Sequence, residues 1–328
     1  MNKALLSLIF LLTISNTYAG SCIQEPYDVT DCKAKAEQGN VDAQYSLGAR
    51  YEIGEGVPQD QKQAVKWYRK AAEQGFAKAQ FKLGMMYFNG QGFIQDYKQA
   101  VKWLQKSAAQ GNAKAQFNLG ITHFIGQGVI QDYKQAVKWL RKSAEQGNAG
   151  AQFFLGMIYF YGNVVPQDYK QAVKWYTKVA EQGDAGAQFS LGLMYGKGQG
   201  VIQDHKQAVK WYTKSAEQGN ADAQLGLGWI YNTGHGVPQD YKQAVKWYTK
   251  AAEQGLAKAQ YNLGLMYGKG QGVIQDIVMA HMYFNIAAAN GHKEAAKVRE
   301  IVAKSMTPSQ IEKAQDLARE WMQKREKD

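Results

Sequence analysis

The chain has 328 residues, of which 45% are hydrophobic and 20% charged, and a formal net charge of +11. No segment reaches about 18 continuous apolar residues, which excludes a membrane-spanning helix. The positive charge recurs as a lysine stripe with no compact basic patch, which argues against a nucleic-acid partner.

Met1-Asn2-Lys3 precedes an apolar run from Ala4 to Ile14, and Thr17-Tyr18-Ala19 stands before Gly20. This is the shape of a secretory signal, so residues 1–20 are expected to be removed on export to a bacterial periplasm or beyond. Loss of Lys3 with that segment lowers the net charge from +11 to +10. Cys22 and Cys32 follow closely, and in an oxidising compartment such a pair is read as a disulfide. A lipid anchor at Cys22 is the rival, but Ala19-Gly20-Ser21-Cys22 lacks the leucine that such a motif favours. Residues 21–42 read as an N-terminal cap and half-repeat, since Asp31–Asp42 aligns with the second helix of the units that follow.

Residues 43–294 hold seven units of 36 residues without an insertion. Gly48, Gly84, Gly120, Gly156, Gly192, Gly228 and Gly264 recur at that spacing, as do Trp67, Trp103, Trp139, Trp175, Trp211 and Trp247. A fixed period in this range marks a solenoid whose neighbouring units bury each other's apolar faces. In the first unit Ala64, Trp67, Tyr68, Ala71 and Ala72 form one helical stripe, while Lys62, Lys66 and Lys70 face water. Asp60 with Gln63 reads as an N-cap and capping box, and Gly75 as a left-handed C′ residue. The preceding helix, roughly Val41 to Glu52, carries Ala43, Leu47, Gly48 and Tyr51 on one side. The recurring Gly48 position implies a second backbone too close for a Cβ. Gly54-Glu55-Gly56-Val57-Pro58-Gln59 joins the helices, and Val164, at the second-glycine position of the fourth unit, implies a rearranged turn there.

These residues resemble the Sel-one-like repeat, a relative of the tetratricopeptide repeat with a slightly longer loop between its helices. The likeness spans about residues 31–294. It implies an all-α, right-handed α/α superhelical solenoid that serves as a scaffold or adaptor. Residues 295–328 supply the closing helices: Thr307-Pro308-Ser309-Gln310 combines an N-cap, a proline at N1 and a glutamine at N3, and Ile311, Ala314, Leu317, Ala318 and Trp321 form the apolar stripe.

No catalytic constellation stands out, and no cofactor or metal is expected. His123, His205, His235, His281 and His292 show no metal-ligand spacing. His123 occupies the slot of Tyr51, Tyr87 and Tyr159, and reads as a core residue with a satisfied ring. Neither cysteine is expected in a repeat core. Cysteine-rich members of the resembled family are associated with β-lactam binding or hydrolysis, which makes that activity the alternative function. Here all seven repeats lack cysteine, and S-x-x-K, S-D-N and K-T-G are absent.

By the same resemblance, the first helices line a concave face through three slots, represented by Tyr45, Ala49 and Glu52. The first two slots read as core. The third varies most, running Glu52, Phe88, Phe124, Phe160, Gly196, Asn232 and Gly268, and reads as an exposed row. Phe88, Phe124, Phe154, Phe160 and Tyr161 are therefore the candidate partner-binding residues. The expectation is a non-enzymatic, exported, monomeric scaffold that binds a protein or peptide in this groove.

Overall fold

The structure is a computed structural model describing residues 29–325, and every regular element among these residues is an α-helix. The expected signal segment and Cys22 of the expected disulfide lie outside the described residues. Two compact units are present, divided between Pro166 and Gln167. The first holds α1 Val29–Glu37, α2 Val41–Ile53, α3 Gln61–Glu73, α4 Ala77–Asn89, α5 Tyr97–Ala109, α6 Ala113–Ile125, α7 Tyr133–Glu145 and α8 Ala149–Tyr161. The second holds α9 Tyr169–Glu181, α10 Ala185–Lys197, α11 His205–Glu217, α12 Ala221–Thr233, α13 Tyr241–Glu253, α14 Ala257–Lys269, α15 Ile277–Ala289, α16 Ala295–Ala303 and α17 Pro308–Arg325. Within each unit every helix packs on the one before and the one after, except that α15 receives both α16 and α17.

Short-range chemistry sets the helix ends. Asp60 Oδ1 accepts from the amides of Lys62 and Gln63 at 2.9 and 3.1 Å, and Asp132, Asp204 and Asp240 cap α7, α11 and α13. Gln63 does not complete a capping box, because the Asp60 amide donates to the Tyr51 carbonyl. That bond closes the inter-helix loop instead. The loop glutamine adds a second closure: Gln59 Nε2 donates to the Glu52 carbonyl and Gln95 Nε2 to that of Phe88. At the C-terminal end, Thr307 and Gln310 form the reciprocal capping box that starts α17.

The second loop glycine is required twice over. Gly56, Gly92, Gly128, Gly200, Gly236 and Gly272 all have positive φ, and a Cβ at 128 would collide with the Tyr97 carbonyl. No described non-glycine residue has positive φ, so Val164 departs from this turn.

The apolar stripe packs as its spacing implies: Ala64, Trp67, Tyr68, Ala71 and Ala72 are all buried. The lysines that follow lie over the tryptophans, with Lys70 Nζ 4.6 Å from the Trp67 ring centre and Lys106 Nζ 4.3 Å from that of Trp103. Trp139 is half-buried, unlike Trp67 and Trp175.

Two expectations are corrected here. The recurring mid-helix glycine is hemmed in mainly by a partner side chain: a Cβ at Gly48 would stand 2.8 Å from the Tyr68 ring, and one at Gly264 2.6 Å from that of Phe284. Cys32 does sit in a core, 2% exposed among Ala36, Ala43, Leu47 and Trp67, because α1 continues the repeat register and places it where Tyr68 stands one unit later.

A glutamine ladder explains the Ala-Gln of the signature. Gln80 Nε2 donates to the Ala72 carbonyl of the preceding helix at 3.0 Å, and Gln110 Nε2 donates to Gln80 Oε1 at 2.8 Å. The same pair of bonds recurs at Gln116 with Gln146 and at Gln224 with Gln254. Each buried amide thus ties one hairpin to the last. Gln80→Leu removes the buried bond to the Ala72 carbonyl and should cost about 1–3 kcal/mol in chemical denaturation, whereas exposed Gln59→Leu should cost far less.

The second unit carries a buried imidazole. His281 occupies the register of Val65 and Val101, is 3% exposed, and its Nδ1 has no hydrogen-bond partner. Burial, with Arg299 nearby, holds its pKa below the ordinary 6.5. The folded chain therefore favours the neutral ring while the unfolded chain takes up a proton. Its contribution to stability is complete above pH 6.5 and is lost as pH falls below that value. Melting midpoints from pH 8 to 5 should fall more steeply for the native chain than for His281→Val, and equal slopes would refute this. His123 is also half-buried with its pKa lowered by burial, and its Nδ1 lacks a partner, which corrects the reading of a satisfied ring.

Candidate functional site

The third slot lies in the last turn of each first helix, where the chain leaves for the loop. Its side chains therefore meet the residue that opens the second helix of the same hairpin. The Phe88 ring stands edge-on to Tyr97 at 5.1 Å, and Phe124 packs on Tyr133 at 5.4 Å. Phe124 also meets Phe154 edge-to-face at 5.0 Å, which carries the contact from α6 to α8. Phe160 and Tyr161 form a further edge-to-face pair at 5.1 Å. Rings of this kind favour edge-on contact because the positive rim of one meets the negative face of the other.

Not all five expected residues are open surface. Phe154 is 1% exposed and Phe88 8%, so both act as floor. Phe124 and Phe160 are half-buried, and Tyr161 is 60% exposed. Sequence reasoning missed Tyr133, which is 39% exposed against Phe124, and Tyr97, which is half-buried against Phe88. The signal was available: tyrosine opens the second helix wherever phenylalanine fills the third slot, whereas Glu52 and Gly196 are followed by Gln61 and His205.

The slot assignment is also corrected at both ends. The third slot includes buried Phe88, and the second includes Trp229, which is 47% exposed. At Glu52 the third slot is ionic: its carboxylate accepts from the Tyr68 hydroxyl at 2.6 Å and pairs with Lys82 at 2.9 Å, tying α2 to α3 and α4. The patch therefore begins only at the second repeat.

Beside the rings, Ile94, Gln95, Asp96, Tyr97, Lys98 and Gly128 line an open depression of about 490 Å³. Ile94 and Ile130, each 91% exposed, stand on the loops just before the capping aspartates. Lys98 and Lys134 are exposed directly after Tyr97 and Tyr133. The result is an aromatic and aliphatic surface with cationic flanks. Among the described residues no group of three histidine, cysteine or carboxylate side chains could hold a metal, and no helix is long and apolar enough to cross a membrane.

Comparison with known proteins places this architecture. The Sel1 repeat model matches residues 41–76, 77–112, 113–148, 149–184, 185–220, 221–256 and 257–292. The crystal structure of a Sel1 repeat protein from Oxalobacter formigenes is 30% identical with a TM-score of 0.68, covering 98% of this chain and 99% of that one. The crystal structure of c5321, a protective antigen with an SLR fold present in uropathogenic Escherichia coli strains, is 30% identical with a TM-score of 0.52. It covers 90% of this chain and 94% of its own. No curated protein matches the sequence. Seven contiguous repeat matches over helix pairs packed as repeats mean that the chain belongs to the Sel1 repeat family.

Proposed function

We propose that this protein is an exported, non-enzymatic scaffold that captures a protein segment on the aromatic surface of repeats two to four. One observation carries the reading: partly exposed Phe124 packs on buried Phe154 and on exposed Tyr133, and half-buried Phe160 pairs with exposed Tyr161. Rings held by their neighbours lose little rotational freedom when a ligand covers them, which suits binding anchors. The flanking Lys98 and Lys134 favour a segment with apolar anchors and acidic neighbours. The secretory pattern of residues 1–20 supports export, and one 30% identical relative is a protective antigen. A spread recognition surface also suits a repeat fold, whose units each add a strip of similar side chains.

The test is a peptide selected from a random library by the intact chain, its affinity then read by fluorescence anisotropy. Tyr133→Ser combined with Tyr161→Ser should weaken binding by about tenfold or more, as loss of aromatic anchors does. The melting midpoint should stay nearly unchanged because both hydroxyl-bearing rings are exposed. Undiminished affinity in this variant would place recognition elsewhere.

A further inference from the structure

In the second unit three departures from the repeat pattern meet at one junction. His205 opens α11 where Tyr97, Tyr133, Tyr169 and Tyr241 open their helices. His235 stands in the next loop where Gln91, Gln127, Gln199 and Gln271 stand in theirs. Trp229, in a slot otherwise held by aliphatic side chains, is 47% exposed and stacks on His235 at 4.8 Å. The two imidazole centres are 5.7 Å apart and no other inter-repeat junction carries two histidines. They are separated by 30 residues, the same offset that brings Gln110 to Gln80. A local search for metal motifs passes over that spacing.

We infer that His205 and His235 form a binding site for one imidazole-preferring divalent metal ion, of the zinc, copper or nickel class. With metal–nitrogen bonds of about 2.0–2.1 Å, two imidazoles on one ion have ring centres on the order of 5–6 Å apart. The observed separation fits that range. His235 Nδ1 is 2.7 Å from Thr233 Oγ1, a contact that orients the ring and leaves Nε2 as the ligand atom. The loop itself is held in place, because Gly236 lies so close to α11 that a Cβ there would stand 2.5 Å from His205 Cβ. Solvent completes the coordination, since no third histidine, cysteine or carboxylate joins the pair among the described residues. A bound ion would bridge the fifth and sixth repeats and lie beside an exposed indole.

The experiment is calorimetric titration of the full chain with zinc chloride in a non-coordinating buffer at pH 7.5, with copper(II) quenching of tryptophan fluorescence as a second readout. One ion should bind per chain. The His205→Tyr, His235→Gln double variant carries the residues of the other junctions and so retains their packing, which circular dichroism checks. It should bind zinc about tenfold or more weakly, since even outer-shell changes at metal sites cost 10–100-fold. It should also lose the saturable copper quenching. Absence of zinc binding by the native chain, or the same isotherm from the double variant, would overturn the assignment.

Discussion

Replacing Tyr68 by alanine should cost about 3–5 kcal/mol in chemical denaturation, the range for emptying a buried aromatic site. Tyr68 is wholly buried between Gly48 and the alanines of α3, and its ring lies 5.5 Å from that of Tyr45. The absence of a Cβ at Gly48 is what admits the ring, and a glycine has no side chain with which to refill the space. Tyr68→Phe separates packing from polarity: it removes only the hydroxyl that donates to Glu52 Oε2 and should cost about 1 kcal/mol. Equal losses for the two variants would mean that the ring's packing contributes nothing. Because repeat arrays unfold as coupled neighbours, the comparison belongs on the N-terminal transition, monitored by amide exchange in α2 to α4.

Gly264→Val should destabilise the second unit by about 1–3 kcal/mol, the range for forcing extra volume into a packed interior. The new Cβ would stand 2.6 Å from Phe284 Cε1, and that ring is only 2% exposed, so it cannot step aside into solvent. Four residues later on the same helix the sign reverses. A Cβ at Gly268 meets only Ala280 Cβ, at 3.7 Å, so Gly268→Ala should stabilise by about 0.5–1 kcal/mol through the lost flexibility of glycine. Thermal melts of the two variants provide the check. If both raise the midpoint, the close approach of Phe284 is not what keeps position 264 a glycine.

The hairpins could be read from the sequence because their causes are local. Apolar residues at helical spacing, a capping aspartate and a left-handed glycine each act within a few positions, and Gly75 at φ +90° and Asp60 over Lys62 and Gln63 are where spacing put them. Contacts that depend on the offset between repeats were harder to see. Gln80 looks like a surface amide in sequence, yet it is buried because the Ala72 carbonyl and Gln110 both face it across two helices. Cys32 is buried for the same reason: a half-repeat still follows the register of a whole one.

At the candidate site, residue choice gave the region but not the depth of each ring. Phe88 and Phe160 share a slot, yet Phe88 is 8% exposed while Phe160 is half-buried. That difference depends on how closely the neighbouring elements cover each ring, which no single-repeat pattern records. The lysine stripe has a similar lesson. Its ammonium groups lie over tryptophan rings, so part of the positive charge serves the fold by covering apolar surface.

Hydrogen–deuterium exchange of the intact chain with and without its selected peptide is the most direct measurement of where recognition occurs. The account predicts added protection at the ends of α4, α6 and α8, at the starts of α5 and α7, and in the loops carrying Ile94 and Ile130. Protection confined to α11 to α17, or absent from the loops and helix ends of repeats two to four, would contradict it.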